Sequence, residues 1–194
     1  MRARREVALL VLALAGFGAM LFARLGHPLF WSDEADTAMF GTRVLAYGYP
    51  KVHAPDNVVY QFGPDVALGI KERFDAYIGT TWGHFYFAVP GLWWALSAAD
   101  PWARTARVRL PFARAGALGV ALWLLALLPA VEGDGGRRLR FAAAWFALAA
   151  VSVSLLLHLR EVRYYALVVL LGGAIARVQL GRAVYATVSG RRYA

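Results

Sequence analysis

Long uncharged stretches separated by short basic clusters set the pattern of this chain. Residues 7–23 read VALLVLALAGFGAMLFA without a charge, and Arg2, Arg4 and Arg5 precede them. At about 1.5 Å per helical residue the run reaches roughly 25 Å, enough for the hydrocarbon core of a bilayer. A cleaved signal peptide opens in the same way, and the apolar runs further along favour a retained anchor. Four such runs follow: 84–99, short and containing Pro90; 110–131, with Pro111 and Arg114 near its start; 141–157, rich in alanine; and 164–176, bounded by Arg163 and Arg177. Arginine at mid-bilayer costs about 2.5–3.5 kcal/mol, so the clusters Arg104/Arg107/Arg109, Arg137/Arg138/Arg140 and Arg160/Arg163 mark interfaces. The pattern predicts an all-α polytopic transmembrane bundle of about five apolar helices, a single membrane domain over 1–194.

Residues 24–83 interrupt the pattern as the one long polar segment. Asp33, Glu34, Asp36, Asp56, Asp65, Glu72 and Asp75 lie here, with Pro50, Pro55, Pro64 and several glycines. The segment predicts a loop with short helices on the side of the membrane opposite the basic N-terminus, which stays cytoplasmic. Within it, Ala35, Ala38, Met39, Thr42, Leu45 and Ala46 share one helical face. Ser32 or Asp33 suits an N-cap, acidic residues suit a first turn, and Gly48-Tyr49-Pro50 terminates. Residues 34–47 therefore predict an amphipathic helix lying along the membrane surface, with Phe30 and Trp31 in the interfacial aromatic belt.

Composition narrows the classes of function. Sixty per cent of the 194 residues are hydrophobic, more than a soluble chain of this size can hide. No cysteine is present, which excludes disulfides, thiolate metal sites and a thiol nucleophile. The net charge of +9 falls between apolar runs and not along a basic stripe interleaved with aromatics, so it points to lipid headgroups and not to nucleic acid. An acid pair at Asp33-Glu34, partly desolvated near a span end, is the strongest candidate for a general base; N-capping is the structural alternative.

A first span followed by Trp31-x-Asp33-Glu34-Ala35, an amphipathic helix and Gly48-Tyr49-Pro50 resembles the start of the GT-C glycosyltransferases. That superfamily includes the protein O-mannosyltransferases and the bacterial aminoarabinose transferase of lipid A. Arg109-Leu110-Pro111-Phe112-Ala113 resembles the start of a later helix in those families. Leu157-His158-Leu159-Arg160-Glu161-Val162-Arg163-Tyr164-Tyr165 resembles their arginine-bearing motif. The resemblance implies inverting transfer of a sugar from a polyprenyl-phosphate carrier to an acceptor on the exoplasmic side. By position Asp33 is then the catalytic base or a ligand for a divalent metal, and Glu34 assists or orients. Arg160, Arg163 and Arg109 are implied to stabilise the phosphate leaving group, with His84 standing near the place of a His-Pro-Pro motif. Two departures stand out: Thr81-Trp82-Gly83-His84 replaces that motif, and no acid follows the arginines. His27, His53 and His158 are too scattered for a metal site. Members of the superfamily are usually about twice as long, so the chain resembles the N-terminal portion of such an enzyme, with a second polypeptide as one way to complete it. Competing expectations are a non-catalytic membrane partner subunit and a transporter of a lipid-linked substrate. Alternation of five spans would place Arg160 and Arg163 opposite Asp33, unless the run 84–99 re-enters without crossing.

Overall fold

The computed structural model describes residues 2–54, 57–58 and 72–190, with side chains undescribed at the margins of these segments and beyond 181. It is mainly helical: α1 (Arg2–Phe22), α2 (Ser32–Tyr47), α3 (Gly83–Ala95), α4 (Pro101–Leu127, continued by a 3-10 turn Leu128–Ala130), α5 (Gly135–Val151), α6 (Val153–Arg160) and α7 (Tyr165–Gly190). Two short antiparallel ladders lie between α2 and α3: β1 (His53–Ala54) with β2 (Asn57–Val58), and β3 (Glu72–Arg73) with β4 (Ala76–Tyr77). Pro55, Asp56, Pro64 and Asp65 lie outside the described residues. Among the described residues two helices are long and apolar enough to cross a membrane, Ala3–Phe22 and Pro101–Ala130, or three if the bent α5–α6 pair is one span. The chain divides into two compact units, one of Met1–Leu25, Phe112–Glu161 and Tyr165–Ala194, the other of Gly26–Pro111 and Val162–Tyr164.

In the first unit α1 packs along α5. Arg140 donates to the buried Glu6 at 2.8 Å, and Phe17 meets Phe146 with ring centroids 5.6 Å apart. Residue numbers rise together along the contact, so α1 and α5 run in the same direction. Glycine permits the second close approach. A Cβ on Gly119 would stand 2.7 Å from the Leu170 nitrogen, and one on Gly173 would stand 2.9 Å from the Gly119 carbonyl oxygen. Gly172 and Gly173 also face Trp123, so α4 and α7 run in the same direction too. Val7, Leu9, Val11, Leu12 and Leu14 on α1, and Val168, Leu171 and Ile175 on α7, remain exposed. Apolar side chains exposed in this number are costly in water and ordinary against lipid.

Three boundaries differ from the hydropathy pattern. The run 110–131 belongs to a helix that starts at Pro101, so Arg104, Arg107 and Arg109 are helical and not in a connecting loop. Their long stems and good helix propensity carry the helix through them. The uniform run 141–157 breaks at Ser152, whose backbone is extended (φ −80°, ψ 90°), and the chain turns by 78° there. Val151, Ser152, Val153 and Ser154 are poor helix formers in succession. The run 164–176 continues through Arg177 as part of α7.

The second unit is built on α2 packed against α3. Phe40, Val44, Val52, Tyr77 and Phe85 form its core, with Met39, Trp82 and Val89 against it. Phe40 stacks on Tyr77 at 4.3 Å, and the Trp82 indole N–H donates to the Tyr77 carbonyl at 2.6 Å. Gly48 adopts φ 81° and donates to the Val44 carbonyl, ending α2 as expected. The N-terminus differs: Trp31 is the cap residue, without a side-chain cap bond. The buried face differs as well. It carries Glu34, Thr37, Ala38, Phe40, Gly41 and Val44, whereas Ala35, Thr42 and Ala46 are exposed. A charged residue inside displaced the inferred apolar stripe by about one position.

Candidate functional site

Consecutive residues on an α-helix point about 100° apart, and that rotation separates Asp33 from Glu34. Glu34 points inward and is fully buried, at 0% exposure. Arg109, projecting from α4 and itself buried, meets it as a fork: Nε donates to Oε1 at 2.8 Å and Nη2 donates to Oε2. The Val162 backbone N–H donates to Oε1 at 3.0 Å. Arg109 Nη1 donates to the Pro28 carbonyl at 2.7 Å, and its Cζ lies 5.6 Å from the Phe30 ring centre. The pair is thus bidentate, desolvated and closed, the arrangement in which an arginine outperforms a lysine.

Asp33 points the other way, with 34% of its side chain exposed. Arg163 Nη2 lies 3.2 Å from Oδ2, and Nη1 donates to the Asp33 carbonyl at 3.3 Å. Thr37 donates its hydroxyl to the same carbonyl at 3.1 Å. Arg163 reaches Asp33 across 130 residues of sequence, because Glu34 fixes the backbone at Val162 one residue earlier. Asp33 Oδ1 has no partner among the described residues, leaving a half-open carboxylate beside a guanidinium.

His84 completes the group. It is the second residue of α3, which at 13 residues is not among the helices long enough to span, and it is 1% exposed. Its ring packs on Phe85 at 4.3 Å and meets the edge of Tyr164 at 5.9 Å. Burial, and then the Arg163 charge, push its pKa down to about 4, so the imidazole is neutral near pH 7. Neither ring nitrogen has a hydrogen-bond partner among the described residues.

No protein-family model, curated protein or solved structure matches the chain. The chemistry of the site therefore rests on its own geometry.

Of the residues singled out from sequence, Asp33, Glu34, Arg109, Arg163 and His84 all belong to the second unit. Arg160 belongs to the first, where it donates to the Arg24 carbonyl at 2.7 Å. Sequence reasoning missed Val162 and Pro28, which act through backbone atoms that no residue type advertises. It also missed Tyr164, which touches both His84 and Arg163 (Cζ 5.6 Å from its ring centre). Among the described residues no group of three or more His, Asp or Glu side chains is arranged to hold a metal ion. Asp33 belongs to no such group and has a guanidinium at its side. Elsewhere in the unit, Asp75 (φ 63°) accepts from the His53 N–H at 2.7 Å and pairs with Lys51 at 3.3 Å, locking the β3–β4 turn. Partial burial opposes ionisation of Asp75, but the bonds from His53 and Lys51 outweigh it and hold its pKa below the usual value.

Proposed function

We propose that this chain is a membrane glycosyltransferase of the GT-C type, or the N-terminal part of one, that transfers a sugar from a polyprenyl-phosphate carrier on the exoplasmic side. The observation that carries this reading is the Asp33–Arg163 pair: a half-exposed carboxylate held beside a cation, with its inner neighbour Glu34 fully engaged. Asp33 accepts the proton of the acceptor as its oxygen attacks the anomeric carbon and the bond from that carbon to the phosphate oxygen breaks. Arg163 offsets the charge that develops on the departing phosphate. Glu34 and Arg109 position these two groups and do not touch the reactants.

The same pair argues for an even number of crossings between Asp33 and Arg163, by α4 and by α5 with α6 as one bent span, to which this reading adds α1 before them and the shorter apolar helix α7 after them. Asp33 and Arg163 lie at one depth, so the chain between them crosses an even number of times; α4 and α5 supply two. At 13 residues, α3 is roughly 20 Å long, short of a core of about 30 Å. The shared direction of α1 and α5, and of α4 and α7, agrees with this alternation. It also puts Arg137, Arg138 and Arg140 on the side of Arg2, Arg4 and Arg5, which the positive-inside rule makes cytoplasmic. Because the chain has no cysteine, single-cysteine labelling reads this directly: Thr81→Cys and Ala99→Cys react from outside and Glu132→Cys from inside. Thr81 and Ala99 labelling from opposite faces would refute the topology.

Activity is tested in membranes expressing the gene, supplied with a radiolabelled polyprenyl-phosphate sugar. Asp33→Asn is expected to reduce transfer by about 10²–10⁴-fold, the size of a general-base contribution, with unchanged membrane insertion. Undiminished transfer by that variant removes Asp33 from the base role.

A further inference from the structure

Three buried nitrogens in the second unit have no partner among the described residues: Nδ1 and Nε2 of His84, and Nε of Arg163. Leaving a buried donor or acceptor unsatisfied costs about 1–3 kcal/mol, and all three flank one ring, that of Tyr164. Asp33 engages the Nη2 edge of Arg163 and leaves the Nε–H unengaged. A ligand that satisfies these atoms must accept hydrogen bonds from a guanidinium and an imidazole together. A metal ion is excluded chemically, since the guanidinium cation of Arg163 repels it and offers no lone pair. A neutral hydroxyl would leave the arginine's charge unused. An oxyanion meets both requirements.

We infer that His84 and the Nε edge of Arg163 form a proton-coupled site for a phosphodiester oxyanion, in which His84 takes up one proton from water as the anion enters. Without the anion, burial and the neighbouring guanidinium keep the imidazole neutral. With it, a negative charge beside the ring stabilises the imidazolium, which then donates to the phosphate oxygen. When the anion leaves, the proton returns to water. Arg163 is the charged group that acts on His84 and Tyr164 stands at its ring edge; on α2, the helix packed against α3, Asp33 and Glu34 are each paired with an arginine. Arg109 on α4 is committed to Glu34 in turn. The inference rests on the proposed function only in identifying a lipid-linked phosphodiester as the natural source; the site chemistry stands without sugar transfer.

The test uses the full chain in maltoside micelles, which carry no phosphate, titrated calorimetrically at pH 7 with dimethyl phosphate, a diester with no titrating proton near neutrality. Two buffers of different ionisation enthalpy report proton uptake. Uptake of about one proton per anion is expected, with affinity falling about tenfold per pH unit between the pH at which His84 titrates in the free protein and the higher pH at which it titrates in the complex, and level above that. His84→Gln, which keeps a hydrogen bond but cannot titrate, is expected to bind at least about tenfold more weakly with no uptake. His84→Phe loses both, and if it does not fold the Gln variant decides. Repeating the titration in phosphatidylglycerol nanodiscs separates the sources: lost binding identifies a lipid headgroup, retained binding a free diester. Absence of binding in the micelles, binding without proton uptake, or undiminished uptake in His84→Gln overturns the inference. The two readings fail separately, since calorimetry reads anion and proton uptake without any sugar transfer, and the transfer assay reads Asp33→Asn without reference to proton uptake.

Discussion

Asp33 and Glu34 are adjacent in sequence, chemically alike, and each paired with an arginine, yet the two ion pairs belong to different environments. Glu34–Arg109 is sealed: both partners are buried, the fork is bidentate, and backbone groups at Pro28 and Val162 fill the remaining valences. Asp33–Arg163 is open, with one carboxylate oxygen and the Nε edge of the arginine uncommitted among the described residues. One rotation of about 100° along a helix turns the first carboxylate into architecture and leaves the second available for chemistry. Desolvation explains why the sealed pair must be complete. A buried charge without its partner is far more costly than an exposed one, whereas a pair in partial contact with solvent contributes little to stability.

This contrast can be broken from either side. The largest effect is expected for Glu34→Gln, which strands the buried Arg109 guanidinium; a loss of about 3–5 kcal/mol should appear as a lowered melting temperature in detergent. Replacing both partners, as Glu34→Gln with Arg109→Gln, should recover at least about 1 kcal/mol of that loss, because no unpaired charge remains. A wholly additive double variant would mean the two groups are not coupled. Next in size is acidification. His84 has a folded pKa of about 4 against an ordinary value near 6.5, so the unfolded chain binds the extra proton between these values. Stability is full above pH 6.5 and falls as the pH drops toward 4, by about 2–3 kcal/mol in the absence of anion. Melting curves of wild type and His84→Gln should diverge in that window and coincide above it. The smallest effect on folding belongs to the open pair. Arg163→Gln or Asp33→Asn should cost no more than about 1 kcal/mol, and a loss as large as that of Glu34→Gln would show that the open pair is structural after all.

The sequence made part of this legible. Helix α2, its glycine terminator and the acid pair at its start follow from local rules, since Gly48 needs a left-handed backbone that few other residues tolerate. Which acid points inward did not follow, because the apolar stripe was counted from Ala35, and a buried carboxylate reverses the polarity on which such counting relies. Arg109 and Arg163 carried weight only through a resemblance of motifs; nothing in an arginine's neighbours tells whether it faces headgroups or a carboxylate 75 or 130 residues away. The break at Ser152 escaped because hydropathy is blind to backbone direction. Most of the five apolar runs became helices of other lengths, since helix propensity carries through arginines at which an insertion scale would stop.

The bond from the Val162 N–H to Glu34 spans 128 residues, and it imposes an order on biogenesis. A ribosome adding about 5–20 residues per second makes Glu34 many seconds before the segment that will hold it. Until Arg109 is made, 75 residues after Glu34, the carboxylate has neither arginine nor Val162, and only water can keep it solvated. The acid pair must therefore wait outside the protein interior until α4 supplies Arg109. Closure of the 162–164 segment over α2 is the last stitch, so a nascent chain halted before residue 162 would carry every candidate side chain except Arg163 and still lack the site.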